Sequence, residues 1–102
     1  MNTEYERFVA GRIFLEPNSS RERTILGALG LAGEAGEVVD LIKKGVMHGK
    51  GFDREQIILE MGDVCWYLTL LMREFNVTLD EVLEANIEKL TARDDGHYKP
   101  DA

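Results

Sequence analysis

Two pairs of acidic residues raise the first chemical question. Glu34 and Glu37 stand three positions apart, and Glu60 and Asp63 repeat that spacing further along the chain. On an α-helix, residues three apart share a face and lie ~4.5 Å apart along the axis. Both pairs border small or apolar residues: the first lies in GLAGEAGEVVDLIKK, the second beside Met61 and Val64. Carboxylates gathered near a bundle interior repel one another and lose hydration unless something positive joins them. An oxygen-only ligand set of this kind suits Mg²⁺, with Mn²⁺ as a substitute. A single helical Glu is ordinarily a solvated residue. The repetition of the pair beside apolar positions is what points towards a metal.

A complementary face lies nearer the end of the chain. Asn86, Lys89 and Arg93 step by three and four, so a helix presents them together. Asn86 continues the row of Leu79 and Val82/Leu83, where an apolar residue is expected, and its amide needs a partner there. Lys89 and Arg93 can meet phosphate oxygens; the plainer reading is a basic helix end that complements the dipole. His48 and His97 are the two histidines, and neither follows a Glu by three. That excludes the Glu-x-x-His ligation of di-iron bundles.

The elements that must position these residues are helical. A short helix is expected over 3–14, with Tyr5, Phe8, Val9 and Ile13 on one side. Pro17 and Asn18 break it. Ser19 followed by Glu22 has capping-box spacing, so a second helix opens near 20 and runs to about Lys44. A glycine-rich loop over 45–51 follows. Asp53 with Gln56 caps a third helix, whose apolar stripe is Ile57, Met61, Val64, Cys65, Leu68, Leu71, Met72 and Phe75. Residues 76–77 make a turn, and Thr78 with Glu81 opens a fourth helix that reaches about Arg93 before a polar tail. Nothing alternates with period two over a convincing length. The expected fold is all-α, an antiparallel helical bundle of about four helices completed by oligomerisation. Gly27, Gly30, Gly33 and Gly36 recur every third residue in the second helix. Each weakens a helix interior by ~1 kcal/mol relative to Ala, a cost offset if they allow close helix approach and leave space for ions and a ligand.

Bulk properties narrow the class. A chain of 102 residues reads as a single domain over 1–102. Its core is small, which favours oligomerisation. The net charge of −7 argues against a nucleic-acid partner. No apolar run approaches the ~20 residues that span a bilayer, so no membrane partner is expected. The first residues lack the layout of a signal peptide, and one cysteine, Cys65, permits no intrachain disulfide. A cytoplasmic location is expected. Cys65, on the apolar stripe, is expected to be a small core residue, and Trp66 a core or interface aromatic.

Taken together, GLAGEAGEVVDLIKK, EMGDVCWYL and EANIEKLTAR resemble the MazG-like nucleoside triphosphate pyrophosphohydrolases of the all-α NTP pyrophosphatase superfamily, over roughly residues 20–98. The family pattern of Glu-x-x-Glu on one helix and Glu-x-x-Asp on the next falls on Glu34/Glu37 and Glu60/Asp63. One departure is Gly33, where many members carry a leading Glu. The resemblance implies Mg-dependent hydrolysis of a (deoxy)nucleoside triphosphate to the monophosphate and pyrophosphate. It implies metal ligation by Glu34, Glu37, Glu60 and Asp63, with Glu37 or Glu34 as catalytic base. Substrate would be held by Asn86, Lys89, Arg93 and Tyr98. Family members form dimers or tetramers built from dimers, so a homodimer or homotetramer is implied. Two other readings stay open: a non-catalytic dimeric helical interaction module, and a hydrolase of another pyrophosphate-containing nucleotide.

Overall fold

The computed structural model describes residues 3–13, 19–49 and 51–94. Four helices follow one another: α1 (Thr3–Arg12), α2 (Ser20–Met47), α3 (Arg54–Glu74) and α4 (Leu79–Asp94). No strand occurs among the described residues. The all-α architecture is the one the spacing predicts.

Local chemistry starts each of the three longer helices where expected. The Ser19 hydroxyl accepts from the Glu22 N–H at 3.1 Å and donates to the Glu22 carboxylate at 3.0 Å. The Asp53 carboxylate accepts from the Gln56 N–H at 3.2 Å. Thr78 and Glu81 form the reciprocal box, with the Glu81 N–H donating to the Thr78 hydroxyl and the Thr78 N–H to the Glu81 carboxylate. At the end of α3, Asn76 adopts a left-handed φ of 55°. The Val77 N–H then reaches the Met72 carbonyl at 2.9 Å and the Asn76 N–H the Arg73 carbonyl at 3.1 Å, the two bonds of a Schellman motif.

The end of α2 differs from expectation. The helix continues through Gly45 to Met47, so the loop begins at His48 rather than at 45. The returning loop leaves no room for a side chain at Gly45: a Cβ there would lie 3.0 Å from the Gly51 carbonyl oxygen and would overlap the Phe52 ring. The left-handed turns fall instead at Gly49 and Gly51, with φ of 66° and 77°.

Helices α2 and α3 pack along each other as an antiparallel pair, and α1 lies on α3. The glycine row explains the first contact. A Cβ at Gly27 would lie 2.8 Å from both Leu70 and Leu71, and one at Gly30 would collide with the Tyr67 ring. Gly33 and Gly36, by contrast, face open space. The small core joins Val9, Ile13 and Leu70, with Tyr5 and Trp66 packed against it. Phe8 and Phe75, assigned to apolar faces, are exposed.

Helix α4 makes no extended packing with the other three, and none of its residues is buried. The Cα radius of gyration is 16.7 Å, against about 13 Å for a compact chain of this length. Part of the α3 stripe is therefore uncovered, and Met61, Cys65 and Leu68 are exposed rather than buried. This corrects the expectation for Cys65. It sits in an apolar depression with Tyr5, Leu68, Met72 and Leu79, where a covering helix would be needed to make it core.

Candidate functional site

The glycine contacts set the register that brings the acids together. Gly27 meets Leu70 and Gly30 meets Tyr67, so each step forward on α2 is matched by a step back on α3. One turn beyond Gly30 is Glu34, and one turn before Tyr67 is Asp63. Glu60 follows on the next turn of the same face. One carboxylate oxygen from each of Glu34, Glu60 and Asp63 lies within 4.8 Å of the others. Glu34 and Glu60 are half-buried and Asp63 is exposed.

The mutual influence of these acids is felt at Glu34. The Glu34 carboxyl is raised above the ordinary glutamate range, chiefly by a hydrogen bond shared with Glu60. Partial desolvation and the charges of Asp63, Glu60 and Glu37 push the same way. A hydrogen bond between two carboxyl groups needs a proton between them, and a divalent cation can take that proton's place. The donor set is all oxygen, two of its three members are on one helix, and the third is on a helix held in register by packing. It fits a hard divalent cation.

Gln56 does not fold back to complete the cap at Asp53. Its side-chain amide donates to Glu60 Oε1 at 3.1 Å, one helical turn on. This neighbour was absent from the sequence expectations, although an i, i+4 Gln–Glu pair is a recognisable spacing.

Glu37 is not part of the three-acid cluster. It is exposed, one turn past Glu34, and acts on Glu34 and on Lys44 through charge alone. Asp40, three residues past Glu37, pairs with Lys44 at 2.8 Å. That bond holds the Asp40 carboxyl below its usual range and raises the Lys44 ammonium.

The acids border an open groove of about 620 Å³ whose walls include Glu34, Asp63, Trp66 and Tyr67 together with Phe8 and Arg12 of α1. Trp66 is half-buried: it packs against the core and also faces the groove. Helix α1 is seated here by Val9 and Ile13 and by the Tyr5 hydroxyl, which donates to the Gly62 carbonyl at 3.5 Å. Burial, then Cys65 and Asp63, raise the Tyr5 phenol. Phe8 and Arg12 were missed as site residues. The available signal was their i, i+4 spacing, an aromatic one turn before a cation on a single helix face.

Asn86, Lys89 and Arg93 are exposed on α4 and do not line this groove. The Arg93 guanidinium stands 3.8 Å from the Asp94 carboxylate. Tyr98, the remaining predicted contact, lies outside the described residues, as do Lys50 and His97.

Residues 23–97 match the MazG nucleotide pyrophosphohydrolase domain. The chain belongs to the MazG nucleotide pyrophosphohydrolase family. Both acid pairs of this MazG domain, and Gln56, lie within the matched residues, whereas Phe8 and Arg12 lie before them. Among curated proteins, the Gene 37 protein of Mycobacterium phage L5 is 37% identical over 71 residues. That similarity covers 66% of this chain and 62% of the phage protein, so the chain spans less than two thirds of that relative's length. No solved structure matches the chain.

Proposed function

We propose that this MazG domain, acting as one unit over 1–102, is a Mg²⁺-dependent pyrophosphohydrolase that converts a (deoxy)nucleoside triphosphate and water to the monophosphate and pyrophosphate. The observation that carries the reading is the convergence of Glu34, Glu60 and Asp63 within 4.8 Å, inside a MazG domain. An interaction module has no need of three converging acids that together raise the proton affinity of Glu34.

Glu34, Glu60 and Asp63 would hold the divalent cation. Bound there, Mg²⁺ would neutralise triphosphate charge and stabilise the charge that develops on the leaving pyrophosphate. Manganese, with the same oxygen preference, would substitute. Gln56 steadies the Glu60 carboxylate through its amide. Glu37 stands beside the cluster and outside it, so its carboxylate is free to take a proton from the attacking water. Between the two candidates for catalytic base, this favours Glu37 over Glu34. The groove wall of Trp66 and Tyr67 gives the nucleoside an apolar surface to lie against.

The cationic face of Asn86, Lys89 and Arg93 would act after assembly. In one protomer α4 makes no extended packing and these residues do not line the groove; a homodimer, or a tetramer of two dimers, would bring such a helix to a neighbouring groove. Exposed apolar residues on α2, α3 and α4 support assembly of that kind. With no helix long and apolar enough to cross a membrane among the described residues, a cytoplasmic nucleotide pool is the proposed source of substrate.

The test is pyrophosphate release in Mg²⁺ against the eight common NTPs and dNTPs, with Glu60→Gln as the control. Release from one or two nucleotides, reduced about 100-fold or more in the variant, is the expected result. Equal release by both proteins would remove the acid cluster from the reaction.

A further inference from the structure

The groove beside the acids has a cationic wall that lies outside the residues matched to the MazG domain. Arg12, in the last turn of α1, lines the same groove as Glu34 and Asp63. Its guanidinium carbon sits 5.6 Å from the centroid of the Phe8 ring, within cation–π range. Three facts distinguish it from a basic residue that only complements the helix dipole. First, Phe8 gives the flexible side chain a preferred place at the groove wall. Second, no ion pair joins Arg12 to Glu34, Asp63 or any other carboxylate among the described residues. A guanidinium beside strongly negative neighbours, held apart from them, leaves its fork of donors available. Third, α1 is anchored to α3 by the Val9–Ile13–Leu70 core and by Tyr5 at Gly62, so the wall is fixed relative to Asp63.

We propose that Arg12 is a substrate-binding residue that grips the polyphosphate of the nucleotide in this groove, with Phe8 as its positioning residue. This rests on the functional reading above. The acid wall presents oxygens and can meet a triphosphate only through cations. Arg12 meets phosphate oxygens directly, with paired N–H donors that match their geometry. The ligand class is a metal-complexed polyphosphate chain rather than the base, so the contact contributes to affinity for every nucleotide alike.

The chain's single tryptophan, Trp66, lies in this groove and reports on its occupancy. The experiment follows Trp66 fluorescence as Mg²⁺-tripolyphosphate, which has no base, and a non-hydrolysable α,β-methylene nucleotide are titrated into wild type, Arg12→Ala, Arg12→Lys and Phe8→Leu. Turnover of wild type and Glu60→Gln is measured alongside. The expected result is that Arg12→Ala weakens both ligands by a similar factor, about 10- to 100-fold. Arg12→Lys should recover part of that loss. Phe8→Leu should cause a smaller loss for both ligands, since it keeps an apolar side chain and removes the ring face. Turnover by Arg12→Ala should show a raised KM with kcat little changed. Unchanged tripolyphosphate affinity in folded Arg12→Ala, with Glu60→Gln inactive, overturns the Arg12 assignment and leaves the functional reading intact. A loss confined to the nucleotide overturns the phosphate role in favour of a base contact. An active Glu60→Gln overturns the functional reading itself, whatever Arg12 does. Should Arg12→Ala fold poorly by circular dichroism, Arg12→Gln, which keeps the stem and hydrogen bonding without the charge, carries the same comparison.

Discussion

The Tyr67 ring lies against the bare backbone of Gly30, where a Cβ would overlap it. One turn away on each helix are Glu34 and Asp63, members of the acid cluster. The close approach therefore sets the helix separation at the site. Gly30→Ala should force the ring or the helix aside and destabilise the fold by about 1–3 kcal/mol. Gly33→Ala makes the opposite prediction, since a Cβ there meets nothing within 4 Å. Removing a helix-interior glycine in open space should stabilise by up to about 1 kcal/mol. Thermal melts at equal protein concentration separate the two: Tm should fall in the first variant and rise in the second. Shifts of the same sign would mean that the register described above is wrong.

Which parts of this arrangement were legible beforehand follows from the range of the forces involved. The caps at Ser19, Asp53 and Thr78 act within four residues, and the sequence shows them directly. Both acid pairs were legible because a helix turns spacing into direction. Which acids meet depends on register, and register depends on the Gly27–Leu70 and Gly30–Tyr67 contacts, which no local pattern contains. Glu37 shares the spacing of the other acids in sequence but lies outside the three-acid cluster. The glycine at 45 looked like loop because its packing partner, Phe52, arrives from beyond the turn. Cys65 looked like core because an apolar stripe does not say whether its covering helix will come from the same chain. The i, i+4 spacing of Phe8 and Arg12 pairs them on one face, but only the packing of α1 on α3 puts that face at the groove.

Gln56 tests whether the acid cluster needs support. Its amide donates to Glu60 at 3.1 Å and has no role in burying apolar surface. Gln56→Ala should leave helicity and Tm nearly unchanged. It should weaken divalent-metal affinity by about 10-fold, the lower end of what loss of an orienting neighbour costs. Mn²⁺ binding followed by electron paramagnetic resonance measures this without reference to turnover. Unaltered Mn²⁺ affinity would show that Glu60 needs no such support.

The far end of the helix pair carries a structural ion pair with a definite pH signature. Arg23 Nε donates to Glu74 Oε2 at 2.9 Å and the Ser20 hydroxyl to Glu74 Oε1 at 2.8 Å, tying the start of α2 to the end of α3. Burial alone would raise the Glu74 carboxyl; the bonds from Arg23 and Ser20 outweigh it, and the group ends below the usual range. A carboxyl lowered on folding contributes stability above its unfolded pKa and loses it as pH falls through the folded one. Glu74→Gln should therefore cost about 2 kcal/mol near neutral pH. The difference from wild type should shrink as both are taken below the ordinary glutamate range. Urea denaturation at a series of pH values reads this out, and a gap that stays constant into acid would rule the ion pair out as its origin.

Metal removal gives the most direct check on the acid cluster. Without a cation, Glu34, Glu60 and Asp63 repel one another, so neutralising one of them should help the metal-free fold. Asp63→Asn is expected to melt at or above wild type in EDTA. Added Mg²⁺ should reverse the order. A ligand that binds only the folded state stabilises by about 2.7 kcal/mol when present at 100 times its Kd, which for a chain of this size is a Tm rise of roughly 10–20 °C. Wild type should show that rise and Asp63→Asn should lose most of it. The two scans together discriminate between a metal site and a solvated acidic face. A solvated face would leave wild type indifferent to EDTA and Mg²⁺ alike, and Asp63→Asn would follow the same curve in both.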